Sequence, residues 1–361
     1  MNRPFHGGNL KEASLKYKMG RDEFIDFSAN INPLGLSPRI KEALLDSIDL
    51  ALCYPDPYCD ELKREISTHL GTDKENILVG NGSCDLIYLI ARTFNPRNCL
   101  ILIPTFSEYE YAVKISGGSC QFFKLSEEKD FLWKKESVLK RLKGEDLVFI
   151  CNPNNPTGGL VSKEDLLFTV AEGKKRGATI VVDEAFIDFV EDSDQFTLVR
   201  EAVSNGNLLV LRSLTKFFAL AGLRVGYVVG AKRMIKELEK KQSPWSVNGL
   251  AQIAAREALR DQNFAEKTKS YIQQERNYLK ERLEEIEGIE PYPAAANFIF
   301  CRLTKDGINS SLLAEKLGCQ GILIRDCSTF RGLDNRFIRI AVKKREENIK
   351  LIAALKDIFG E

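Results

Sequence analysis

Ser213-Leu214-Thr215-Lys216, followed by Ala221-Gly222-Leu223-Arg224-Val225-Gly226, is the stretch from which the rest of the chain can be read. It comes directly after an apolar run, Leu208 to Leu211, that predicts a buried strand. A lone lysine after a strand is usually a solvated charge. Here two hydroxyls flank it, and an arginine and two glycines follow within a short loop. That grouping suits a lysine that captures an aldehyde beside a bound phosphate: the hydroxyls and guanidinium grip the anion, and the glycines let the chain approach. Upstream, Ile180-Val181-Val182-Asp183-Glu184-Ala185-Phe186 places an acid at the end of a second apolar strand. A carboxylate at a strand's carboxyl end points into the crevice where open α/β sheets bind ligands. Asp183 could pair with a protonated ring nitrogen while Lys216 holds the aldehyde of the same ring.

Moving outward, strands and helices alternate from residue 77 to 212, which predicts an α/β fold with a largely parallel sheet and helices on both faces. Ile77 to Val79 reads as a strand, then a glycine loop, then a helix start at Gly82-Ser83-Cys84. Free amides there form an anion site, with Ser83 as an ordinary N-cap being the plainer reading; both can hold. Cys99 to Ile103 leads into Pro104-Thr105-Phe106, and Leu147 to Ile150 into Asn152-Pro153-Asn154-Asn155-Pro156-Thr157-Gly158, where each proline restricts the residue before it. Pro38 to Leu50 and Tyr58 to Leu70 read as helices, and Val225 to Val229 as one more strand. A long helical stretch runs from about 249 toward 287, and a strand is expected over Gly321 to Arg325. The expected organisation is an N-terminal segment, 1–45, that contributes to the small domain and the site; a large domain, 46–248; and a small α+β domain, 249–361.

The 361 residues carry 52 basic and 51 acidic side chains, so the net charge of +1 offers nucleic acid or an anionic membrane no electrostatic handle. No apolar run approaches the roughly 20 residues of a membrane span. The opening Met1 to His6 lacks the apolar core of a signal peptide. Nine cysteines without CxxC pairing predict reduced thiols in a cytoplasmic protein, and no metal site.

The four motifs Asn152 to Gly158, Asp183-Glu184-Ala185, Ser213 to Lys216 and Gly222 to Gly226, in this order and spacing, resemble the fold-type-I pyridoxal 5'-phosphate (PLP) enzymes in the histidinol-phosphate aminotransferase branch. The resemblance covers nearly the whole chain. It implies PLP as cofactor, with Lys216 as its covalent anchor and proton carrier and Asp183 at the ring nitrogen. The phosphate would sit among Gly82, Ser83, Cys84, Ser213, Thr215 and Arg224. Phe106 would stack on the ring, a core phenylalanine being the alternative, and Asn155 would donate to the phenolate oxygen. It also implies a homodimer in which Tyr54 crosses to the neighbouring subunit's cofactor phosphate, although the residues alone read as a surface tyrosine before a helix. His6-Gly7-Gly8-Asn9, Asp26 to Gly35, Asp183 to Phe189, Leu211 to Phe217 and Ser243 to Asn248 narrow the resemblance to the L-threonine-O-3-phosphate decarboxylases of cobalamin biosynthesis. The substrate is then a small phosphorylated amino acid. The resemblance assigns His6, Asn32 and Arg325 to its phosphate, and Arg339 and Asn155 to its carboxylate. Phe186 departs from the aminotransferases of this fold, most of which carry a hydroxyl there; the departure weakens a transaminase reading. Histidinol-phosphate transamination is the alternative, and a PLP-binding regulatory module a remote one.

Overall fold

The computed structural model describes residues 6–142, 144 and 146–360; Met1–Phe5, the stretch read for a leader, lies outside them. Seven strands form one sheet in the spatial order Ile77–Gly80, Gly226–Gly230, Leu208–Ser213, Thr179–Asp183, Leu147–Cys151, Asn98–Ile103, Ser119–Lys124. Only Gly226–Gly230 runs against its neighbours. The near-continuous apolar runs are explained by this placement: Leu147–Cys151 and Leu208–Ser213 are buried along their whole length because helices cover both faces. Apolar clusters lie on either side of the sheet, and each fully buried Val, Ile or Leu in them contributes about 1.5–3 kcal/mol.

Parallel pairing fixes which residues emerge together. Cys151 stands beside Asp183, and Asp183 beside Leu211, two residues short of Ser213. The carboxyl ends of three strands therefore open into one crevice. Helix Lys163–Lys175 is started by the Ser162 hydroxyl, which accepts from the Asp165 amide at 3.2 Å, and it returns the chain to the Asp183 strand.

A second, antiparallel sheet has the order Arg325–Asp326, Phe337–Ala341, Phe298–Leu303, Ile289–Pro291. The strand expected over 321–325 is broken in two. Ile322–Leu323 pairs in parallel with Ile25–Asp26, while Arg325–Asp326 joins the second sheet; buried Ile324 lies between them in a third apolar cluster with Phe27, Ile299, Ile338 and Leu355. The break sets Arg325 directly opposite Arg339.

The long helical stretch also divides. Gly249–Arg260 stops at Asp261, which leaves helical geometry and caps the next helix, Gln262–Glu284, by accepting from the Phe264 amide at 3.2 Å. The helix expected over 38–50 covers Pro38–Asp46 and gives way to a tighter turn at Ile48–Leu52. The next begins at Asp60 because the Asp56 carboxylate takes the Tyr58 and Asp60 amides at 3.0 and 2.7 Å.

Helix Gln262–Glu284 is tied to the C-terminal helix Arg345–Phe359 by buried Glu275. Its carboxylate accepts from Arg345 Nε and Nη2 at 2.9–3.1 Å and from Asn348 Nδ2 at 3.0 Å. Glu275→Ala should leave Asn348 with a lost partner and destabilise the protein by about 2–3 kcal/mol. A lowered denaturation midpoint checks this; an unchanged midpoint would mean the clasp contributes nothing.

Candidate active site

One wall of the crevice lies where helix Gly82–Phe94 abuts strand Gly226–Gly230. Gly226 makes the contact possible. A Cβ there would stand 2.6 Å from the Ser83 amide nitrogen and 2.8 Å from the Arg212 carbonyl oxygen. With the backbones this close, Ser83 and Cys84 at the helix start share one wall with Ser213, Thr215 and Arg224. The hydroxyls of Ser213 and Thr215 lie 2.7 Å apart, and Arg224, in left-handed geometry, donates through Nη1 to the Ala221 carbonyl at 3.1 Å. Helix amides, two hydroxyls and a guanidinium around one space form a cradle for a phosphate-sized anion. Gly82 does not line it. Its lack of a side chain makes room for the Arg224 guanidinium, which a Cβ would meet at 2.8 Å.

Lys216 sits on the short turn Leu214–Phe217 beyond this cradle and keeps part of its surface open to the crevice. Dense surroundings, then Arg339 and Arg224, push its ammonium down to about 8, which makes the neutral, nucleophilic amine accessible. Asp183 is buried beside it. Its Oδ2 accepts from the Tyr109 hydroxyl at 2.7 Å and its Oδ1 from the Ala185 amide at 2.9 Å. Burial raises the Asp183 carboxyl, against those hydrogen bonds and the charge of Lys216. A cation arriving at Asp183 would offset that cost. Tyr109, buried and stacked on Phe149, remains a donor because burial and Asp183 push its phenol up. Phe106 forms the opposite wall, its ring 5.6 Å from that of His6 and 5.7 Å from that of Tyr109. Phe186 also lines the crevice, edge-on to Phe298, and offers no hydroxyl.

Arg325 and Arg339 also line the crevice, side by side on adjacent strands of the second sheet, 4% and 6% exposed. Like charges directly opposite repel, and buried ones do so more strongly. Burial, and then Arg325, push the Arg339 guanidinium down to about 10, with Cys327 acting the other way. Arg339 donates to the Asn155 amide oxygen and to the Ser28 carbonyl at 2.8 Å. Because the Asn155 oxygen accepts from Arg339, its NH2 group is left as the donor toward the crevice. Arg325 donates to the Thr329 hydroxyl at 2.9 Å and lies 5.0 Å from the Phe330 ring centroid.

His6 stands at the rim, where its Nε2 is 2.6 Å from a carboxylate oxygen of buried Glu108. Glu108 also accepts from Tyr88; these two hydrogen bonds outweigh burial and hold its carboxyl below the usual range. Asn32 is not where the resemblance implied. Its NH2 donates to the Phe217 carbonyl at 2.7 Å and the Thr268 hydroxyl at 3.0 Å, and its oxygen accepts from the Leu34 amide at 3.0 Å. It pins the Asp26–Gly35 loop beneath the lysine turn and has no side-chain donor left for an anion. Asn30, from the same loop, lines the crevice instead, with a buried Oδ1 that meets no partner among the described residues. Tyr54 lies outside the crevice, 84% exposed, its ring tilted by 36° against that of Trp245 at 5.1 Å. Sequence reasoning missed Asn30, Glu108, Tyr109 and Phe330. Asn30 is two residues from Asn32 in the same loop, and nothing local tells them apart. Tyr109 is recognisable only once its helix is packed over Asp183.

The model for the aminotransferase class I and II family matches residues 22–355. The chain therefore belongs to that family, whose members are PLP-dependent and share this two-sheet architecture. Within it the chain stands among the threonine-phosphate decarboxylases and histidinol-phosphate aminotransferases. It is 36% identical over 358 residues to the threonine-phosphate decarboxylase of Salmonella typhimurium, covering 98% of this chain and 96% of that one. The crystal structure of L-threonine-O-3-phosphate decarboxylase from Porphyromonas gingivalis is 27% identical with a TM-score of 0.83, over 93% of this chain and 99% of the other. Histidinol-phosphate aminotransferase from Clostridium acetobutylicum is 34% identical with a TM-score of 0.86, over 92% and 98%.

Two outcomes follow from this geometry. Asn32→Ala should destabilise the fold by about 1–3 kcal/mol while leaving inhibition by inorganic phosphate unchanged. Thermal midpoints and inhibition constants check this, and weakened inhibition at an unchanged midpoint would restore Asn32 to the site. Because Lys216 titrates near 8, the rate at which protein freed of cofactor forms a borohydride-trappable adduct with PLP should rise through pH 8. A rise confined to the range of an ordinary lysine, around 10.5, would contradict the burial argument.

Proposed function

We propose that the protein decarboxylates L-threonine O-3-phosphate, giving carbon dioxide and (R)-1-amino-2-propanol O-2-phosphate, the reaction that the resembled decarboxylases contribute to cobalamin biosynthesis. The observation that carries this reading is the pair of buried arginines, Arg325 and Arg339, lining the same crevice as Lys216 and Asp183. The two arginines suit two anionic groups, and Asp183 suits a cationic ring.

In this reading Ser83, Cys84, Ser213, Thr215 and Arg224 hold the phosphate of PLP, Asp183 accepts from its ring nitrogen, Asn155 donates to its phenolate oxygen and Phe106 covers one face. Tyr54 reaches the cofactor phosphate of a second copy of the chain, so the active form is a homodimer; its exposure beside Leu52 and Trp245 supports that role. Bound PLP supplies an electron sink for the pair left behind when a bond to the substrate's Cα breaks. Which bond breaks depends on which stands perpendicular to the ring, and the anion-binding residues set that orientation. Arg325 and His6 take the phosphate, and Arg339, steadied by Asn155, takes the carboxylate. The carboxylate then leaves as carbon dioxide, and Lys216 Nζ delivers one proton to Cα. The bare ring of Phe186 supports this over transamination, since the site lacks a hydroxyl there.

Histidinol-phosphate transamination stays as a second reading, favoured by the likeness to that aminotransferase over nearly the whole chain. It differs in needing a keto acid to complete its cycle. Protein mixed with O-phosphothreonine and no keto acid should evolve carbon dioxide over many turnovers. Formation of pyridoxamine phosphate and a ketone, without gas, would reject decarboxylation. Lys216→Ala should abolish the borohydride-trappable PLP adduct; a retained adduct would show that another residue anchors the cofactor.

A further inference from the structure

The geometry points to Glu110 and Arg331 as a positioning pair that sets the affinity for the substrate's phosphate by holding Arg325 in place from outside the crevice. The inference rests on the reading above only in taking Arg325 as the phosphate anchor. Two side chains that touch Arg325 come from one short loop: the Thr329 hydroxyl at 2.9 Å and the Phe330 ring at 5.0 Å. The loop is stiff within itself. Ser328 N donates to Asp326 Oδ1 at 2.8 Å, Phe330 N to the Cys327 carbonyl at 3.0 Å, and Leu333 N to the Phe330 carbonyl at 3.1 Å. At one end it hangs from the second sheet, where Cys327 N donates to the Phe337 carbonyl at 3.0 Å.

Its tip is fastened to the other body. Arg331 Nε and Nη2 donate to the two oxygens of Glu110, each at 2.8 Å, and the guanidinium lies 4.4 Å from the Phe122 ring centroid. Glu110 belongs to helix Glu108–Ile115, and Phe122 to the edge strand of the seven-stranded sheet. Lys114 holds Glu110 from the same helix. A monodentate surface pair would be worth little. A fork on a carboxylate, stacked on an aromatic ring, fixes direction as well as distance. The same helix supplies Glu108, which holds His6, and Tyr109, which holds Asp183. Through Arg331 the loop that steadies Arg325 is thus registered against the element that steadies His6 and Asp183. Loosening the pair leaves every substrate-touching group present but lets Arg325 drift from the phosphate, and a shift of about 1 Å at such a contact is costly.

The test compares Arg331→Lys, Arg331→Ala and Glu110→Gln with the unaltered holoenzyme. Lysine keeps the charge but cannot fork. All three should raise KM for O-phosphothreonine by about 3- to 10-fold and leave kcat within about twofold. The inhibition constant of L-threonine, which lacks the phosphate, should not move, whereas that of inorganic phosphate should rise with KM. A merely structural role would weaken both inhibitors alike or lower kcat, and either result, or no change at all, overturns the inference. Arg325→Gln serves as the reference. If it weakens phosphate and the Arg331 variants do not, the pair is without this role while Arg325 keeps its own. If Arg325→Gln leaves phosphate inhibition unchanged, the anchor reading falls, and this inference with it.

Discussion

Parallel registration of three buried strands is the constraint on which the site depends. Leu147–Cys151, Thr179–Asp183 and Leu208–Ser213 lie side by side and run the same way, so their carboxyl ends reach one edge together. These three strands are held stiffly because they are buried on both faces and paired with a neighbour on each side. Asp183 and the lysine turn therefore have a fixed separation before any ligand arrives. Gly226 brings the helix start at Ser83 onto the same edge, where a side chain would push it away. Pre-organisation of this kind lets binding energy go to orienting the ligand.

Charge is arranged by burial more than by pairing. Lys216, Arg224, Arg325 and Arg339 all line one crevice, and Asp183 is the carboxylate among its lining residues. Excess cationic character in a partly dry space costs free energy that anions recover on binding. The lowered Lys216 ammonium and Arg339 guanidinium, and the raised Asp183 carboxyl, express that cost. A ligand with a negative group at each end and a cationic centre would relieve all three. The site is thus specific in electrostatic terms before any single hydrogen bond is considered. Its outer ring, Glu108 on His6, Tyr109 on Asp183 and Asn155 on Arg339, fixes directions that charge alone leaves loose.

Local chemistry determined a good deal of this protein from sequence alone. Strand periodicity, proline-bounded loops and the hydroxyl–lysine–arginine–glycine grouping are short-range features, and they were enough to define the α/β fold, the lysine, the aspartate and the cradle around Ser213, Thr215 and Arg224. Tertiary structure decided the rest, because each remaining feature depends on residues far apart in the chain. Asn30 and Asn32 look alike in one loop, and only the approach of Phe217 and Thr268 consumes the second and leaves the first for the crevice. Arg325 and Arg339 read as two separate strand residues until the break at Ile324 set one beside the other. Tyr109 and Glu108 became part of the site only when their helix packed over the sheet edge. Covalent neighbours are read directly from sequence; which side chains share one buried space is fixed by packing, and packing is a property of the whole chain.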